Sequence, residues 1–205
     1  MPSDAVTQLN QLIQARRSVK PRRFNGKPID DAVVQQILEN ANWAPNHGKA
    51  QPWRFFVFTR GGLNRLAQFQ ATLYKQQTSE AEFSADKYER MKSNVLKSSH
   101  VIVLAMTRKL AAIPEIEDIE AVACSVQNMM LTATAYGVCS FWGSGGVTYS
   151  DELKVFLGLG PGDRCLGYLY LGYSDDPLPE GSRSPIDEKV MWIDRDRPVT
   201  AADDA

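Results

Sequence analysis

Histidine, cysteine and net charge are all scarce in this chain of 205 residues. Its two histidines, His47 and His100, have no carboxylate or cysteine cluster beside them, so no metal centre is expected. The three cysteines, Cys124, Cys139 and Cys165, include no CxxC pair and sit in apolar sequence. They read as buried free thiols in a reducing compartment. A formal net charge of -1 removes any global basic field for nucleic acid or an anionic membrane. A charged ligand would have to be met by a local cluster. No apolar run reaches membrane-spanning length, and the opening MPSDAVTQLNQLIQARRS lacks the basic and apolar regions of a secretory signal. The expectation is a soluble, cytoplasmic protein.

Familiar nucleotide and nucleophile motifs are missing too. There is no P-loop and no GxSxG elbow. Gly158-Leu159-Gly160-Pro161-Gly162 imitates a dinucleotide fingerprint, but Asp163 stands where the third glycine belongs. A predicted helix precedes it and a strand follows, the reverse of the required order, so it reads as a turn.

What is present is ordinary globular composition, 43% hydrophobic and 23% charged, in a chain long enough for one substantial core. The spacing predicts a helix over 4–16 with Val6, Leu9, Leu12 and Ile13 on one face, running into Arg16-Arg17-Ser18. Asp30 is a predicted N-cap for a second helix, which Ala44-Pro45 ends. Strands are predicted at 53–59, 100–107, 138–142 and 164–173, with 190–193 able to add one more. A polar helical region after Gly61-Gly62, reaching about Ser98, is expected outermost. A helix over 117–136 is apolar on several faces and closes at Gly137, so it should be buried between core and subunit interface. Ser150 caps a short helix to Leu157. One domain is expected over 1–194, its C-terminal part an extended arm, with 195–205 a disordered tail.

Three segments could carry chemistry. Arg16, Arg17 and Ser18 form a compact anion site, since guanidinium groups pair planar donors with phosphate oxygens. Equally, cations at a helix C-terminus complement the dipole. The loop from Trp43 and His47 to Gln51-Pro52-Trp53 precedes a buried strand, where ligand-binding groups collect; it could also be a structural turn. The strand ending in Trp142-Gly143-Ser144-Gly145-Gly146 allows close backbone approach to a flat ligand and leaves N–H groups to donate. It could also be a flexible connection.

Taken in register, an Arg-Arg-Ser helix end, a loop-strand of the form APxHxxxQPWxFFV, and a Trp-x-Ser-Gly turn before LGYLYLG resemble the nitroreductase superfamily. The likeness is nearest its compact bacterial branch and covers roughly residues 6–194. The resemblance implies an α+β, domain-exchanged homodimer with a mixed central sheet and FMN at the subunit interface. It places Arg16, Arg17 and Ser18 on the FMN phosphate and ribityl chain, and Trp43 and His47 on the flavin from the partner subunit. Gln51 would flank the isoalloxazine, and Trp142, Gly143 and Ser144 would lie against it, with a backbone N–H of Ser144 or Gly145 at N5. Residues 134–138 resemble a stretch assigned to nicotinamide contact. Relatives carry Arg at the places of Trp43 and Gly143, so this pocket should be less cationic and more aromatic.

The activity implied is ping-pong reduction of nitro or quinone-type acceptors by NADH or NADPH, with the redox chemistry supplied by the cofactor and no obligatory side-chain acid or base. The alternatives are a family member reducing an enone or halogenated aromatic, and a non-catalytic flavin-binding module.

Overall fold

A computed structural model describes residues 3–110 and 112–193. Four strands form the central sheet: β1 (Trp53–Thr59), β2 (His100–Met106), β3 (Cys139–Gly143) and β4 (Arg164–Gly172), in the order β1-β2-β4-β3. β2 and β4 lie in the middle, which explains their unbroken apolar sequences. Side chains alternate between two cores. Ile102, Leu104, Met106, Leu169 and Leu171 face one, whereas Val101, Val103, Tyr168 and Tyr170 face the other.

The first core is covered by α2 (Asp31–Ala41) and α5 (Glu115–Ala135), which bring in Val34, Ile37, Val122, Val126 and Met129. The second is covered by α3 (Gly61–Gln77), with α4 (Ala85–Leu96) and α6 (Asp151–Leu157) beside it. The predicted caps are in place. Asp30 Oδ1 accepts the Ala32 N–H at 2.9 Å, and Ser150 Oγ accepts the Leu153 N–H at 3.2 Å. Gly137, at φ +69, reverses the chain after α5 while Val138 N donates back to Ala133 O at 2.8 Å.

Several expectations are corrected. All three ladders are antiparallel, and the sheet is mixed only through an isolated parallel bridge between Ser18 and Ser140. The polar region after Arg60 is two helices, Gly61-Gly62 opening the first, and it is not wholly outermost: Leu63, Leu66, Ala67 and Leu73 pack inward. Averaging over both helices hides the apolar stripe of α3.

Residues 190–193 pair with no strand. They follow a 3-10 turn at Ile186–Lys189 and run exposed, because the arm leaves its own sheet without reaching an edge of it. The predicted tail at 195–205 lies outside the described residues.

Cys139 and Cys165 are buried free thiols as expected, but Cys124 is exposed. It sits on an uncovered stripe of α5 with Ile116, Glu120 and Gln127. Nearby α1 (Asp4–Ala15) buries nothing, leaving Val6, Leu9 and Ile13 about half exposed. An amphipathic helix whose apolar face meets water is short of a partner.

Candidate functional site

α1 ends at Ala15, where Arg16 leaves helical geometry with its N–H still donating to Leu12 O at 3.1 Å. The chain then runs beside β3, with Val19 N donating to Ser140 O at 2.9 Å. That bond brings the arginine pair to the strand that ends in the glycine turn. Two of the three sequence segments therefore meet within one chain.

The charges there are poorly compensated. Residues 16–27 contain six cations and no acid, and Asp175 and Asp176 answer only Lys27 and Arg23. Arg16 is half-buried and makes no side-chain hydrogen bond or ion pair among the described residues. Nor does Arg17 meet a carboxylate among the described residues; it donates from Nε to Pro179 O at 2.9 Å and from Nη1 to Arg16 O at 3.0 Å. Withholding counter-charge from half-buried guanidiniums disfavours the empty protein and favours an incoming anion.

The turn after β3 is shaped by a bulge in β4. Register shifts between Leu104 and Ala105 because Leu166 is an extra residue, and its freed carbonyl accepts the Trp142 Nε1–H at 3.1 Å. Gly167, at φ +138, makes this possible. A Cβ there would stand 2.5 Å from Trp142 Nε1 and 2.8 Å from Gly143 O. Trp142 is thereby fixed against the core and presents only its ring. Beyond it, the Ser144 and Gly145 N–H groups have no intramolecular acceptor among the described residues, and both residues are exposed. At Gly143 a side chain would first meet Phe141 Cε1 at 3.0 Å, so the Phe141 ring would have to shift slightly to admit one.

The third segment is not brought in. The loop before Trp53 lies at the opposite edge of the sheet from β3, three strand spacings or roughly 14 Å across. Ala44, Ala50 and Pro52 anchor it inward, whereas Trp43 is 85% exposed and, among the described residues, exposed His47 reaches only Glu117 Oε2, from Nδ1 at 2.6 Å. Lys49 and Gln51 have φ of 55° and 44°, uncommon for residues with a Cβ. Asn46 Oδ1 fixes that shape by accepting the Gln51 N–H at 3.0 Å, and Lys109 Nζ donates to Gln51 O at 3.2 Å. A strained, tethered loop with an exposed indole has the form of a surface offered to another molecule.

Sequence reasoning missed two features. The Ser140 hydroxyl is buried with no hydrogen-bond partner, an unmet polar atom at the bridge to Ser18. The stretch 175–181 is laid along 17–27 and supplies the Pro179 carbonyl to Arg17. The six-cation run facing Asp175-Asp176 was a visible signal for that second contact.

The chemistry of this donor set fits a flavin mononucleotide: cations and a hydroxyl for its phosphate, N–H groups and an indole for its ring. Among the described residues no group of histidine, cysteine or carboxylate could hold a metal, and no helix is long and apolar enough to cross a membrane.

Comparison with known proteins agrees. The nitroreductase family model matches residues 13–173. A Bacillus subtilis protein named "Putative NAD(P)H nitroreductase YfhC" is 28% identical over 182 residues, covering 88% of this chain and 92% of its own. The crystal structure of a nitroreductase-like family protein from Bacillus cereus superposes with TM-score 0.80 at 31% identity, over 95% of this chain and 100% of that one. That of the FMN-dependent nitroreductase NfnB from Mycobacterium smegmatis in complex with NADPH has TM-score 0.73 at 20% identity, over 93% and 100%, a likeness of fold. With its sheet order, its arginine-bearing helix end and this match across most of its length, the chain belongs to the nitroreductase family.

Proposed function

We propose that this protein is an FMN-dependent oxidoreductase that works as a homodimer and draws its electrons from NADH or NADPH. The observation that carries the reading is the Ser18–Ser140 bridge, which ties uncompensated Arg16 and Arg17 to the strand whose far end carries a turn of free N–H groups. Bound FMN would supply the redox chemistry, accepting hydride from the nicotinamide and delivering it to an acceptor at the same face.

The protein's own part is to bind and orient. Arg16, Arg17 and Ser18 hold the phosphate end. The Ser144 or Gly145 N–H donates toward the ring, where fixed dipoles favour the more electron-rich reduced state. The ring of Trp142, its N–H already bonded to Leu166 O, gives a rigid apolar wall.

A partner subunit completes the site. Trp43, His47 and Gln51 lie far from the arginine pair of their own chain, so they serve the flavin of the other one. The uncovered faces of α1 and α5 provide the interface. The extended arm, with Trp192 87% exposed, lies over the partner, where β1 presents a free sheet edge. The buried thiols Cys139 and Cys165 suit a reducing cytoplasm. Residues 134–138, with Tyr136 exposed, are the proposed nicotinamide contact.

With Trp43 and Gly143 replacing cations, the acceptor is a flat, neutral compound such as a nitroaromatic or a quinone. Steady-state assays with nitroaromatics, quinones and enones under each nicotinamide test this. Turnover of nitroaromatics or quinones supports it, and inertness of both classes beside a reduced enone removes it.

A further inference from the structure

After β4 the chain folds back along residues 17–27 in a series of polar contacts. Asn25 N donates to Tyr173 O at 2.8 Å, Lys27 pairs with Asp175 at 3.2 Å, and Arg23 pairs with Asp176 at 3.0 Å. Arg23 also donates to Pro177 O at 2.5 Å. The series ends at Arg17, whose Nε donates to Pro179 O and whose Nη1 donates to Gln14 O and Arg16 O. Only Nη2 is left without an acceptor among the described residues. Two residues beyond Pro179 comes Gly181, and a Cβ built on it would overlap Cζ and Nη2 of Arg17.

We infer that Gly181 is a positioning residue for the cofactor phosphate: its missing side chain is the notch in which the Arg17 guanidinium lies, while the Pro179 carbonyl fixes its orientation. The inference rests on the proposed role of Arg17 as a phosphate anchor. Its physical content lies in which atoms collide. Gly181 does not have positive φ, so alanine there brings no backbone strain. The overlapping atoms are the far end of a flexible side chain. A methyl group at 181 would therefore displace the guanidinium and leave the fold in place, so the loss falls on phosphate affinity and not on stability.

The test titrates the full-length protein, stripped of flavin, with FMN and with riboflavin, the same ring system without the phosphate. The variants are Gly181→Ala, Arg17→Gln and the double substitution, each with a melting temperature. Gly181→Ala is expected to weaken FMN about tenfold, near the weight of one charge-assisted hydrogen bond, and to spare riboflavin and melting. On the Arg17→Gln background it should add nothing, since the group it displaces is gone. If Arg17→Gln weakens FMN and Gly181→Ala does not, or if Gly181→Ala weakens both flavins alike, the inference is overturned. If Arg17→Gln itself leaves FMN affinity unchanged, the phosphate-anchor reading fails first.

Discussion

Val19 donates its backbone N–H to the Ser140 carbonyl at 2.9 Å, and this bond joins two segments about 120 residues apart into one candidate site. Ahead of it lie the arginines that end α1; beyond Ser140 lie Trp142 and the free N–H groups of the turn. Every prediction about binding follows from that juxtaposition.

Removing Arg16 should weaken FMN with little effect on the fold. Among the described residues its guanidinium has no partner to orphan, so Arg16→Gln should cost the anion contact alone, about 10- to 100-fold in affinity. Flavin fluorescence titration at two salt concentrations measures it. A variant binding as tightly as the parent would remove Arg16 from the site.

Gly167→Ala should damage stability and cofactor binding together. The added Cβ would meet Trp142 Nε1 at 2.5 Å and the Gly143 carbonyl at 2.8 Å, and one of these is backbone that cannot swing away. With unfavourable φ as well, a loss of about 2–4 kcal/mol is expected from urea unfolding, with reduced flavin content. Unchanged unfolding would mean that the bulge does not brace the turn.

Asp118→Ala should be among the most harmful substitutions away from the site. Asp118 is buried and pairs with Arg108 at 2.5 Å, while Arg108 also donates to Ile113 O at 2.7 Å. Leaving that half-buried guanidinium without its carboxylate should cost about 3 kcal/mol. Urea unfolding of the variant checks it, and a loss below about 1 kcal/mol would show that the pair is dispensable.

His100 should make the apoprotein less stable in mild acid. Ser99 Oγ accepts the Ile29 N–H at 2.7 Å and lies 3.0 Å from His100 Nδ1, while His100 Nε2 lies 3.1 Å from Asp31, which Arg60 also engages. Burial holds the imidazole below its ordinary 6.5, and the bond to Asp31 opposes this only in part. The unfolded chain then takes up a proton near pH 6.5 that the folded chain refuses. Stability is full above 6.5 and is lost as pH falls toward the lowered folded value. Melting temperatures between pH 7.5 and 5.5 should fall for the parent and less for His100→Gln. Parallel curves would exclude His100 as the cause.

Much of this was legible in the sequence. Central strands are apolar on both faces and caps are local, so β2, β4, Asp30, Ser150 and Gly137 could be read from neighbours alone. What could not be read depended on distant partners. The bulge at Leu166 is a register event between strands, and the Arg17–Pro179 contact joins residues at opposite ends of the chain. Residues 190–193 have strand-like composition, yet the arm does not reach an edge of its own sheet, so intrinsic preference had nothing to pair with. Cys124 was misplaced for a related reason: a helix apolar on several faces does not tell which of them its own chain covers.

The proposed FMN-dependent electron transfer at a site between two subunits can be watched directly. The most direct measurement is the visible spectrum of the purified, FMN-reconstituted protein during anaerobic addition of NADH or NADPH, followed by an acceptor. One bound flavin per chain is expected, bleached by a nicotinamide and restored by a nitroaromatic or quinone. A colourless protein that takes up no FMN, or a bound flavin that stays oxidised with both nicotinamides, would contradict it.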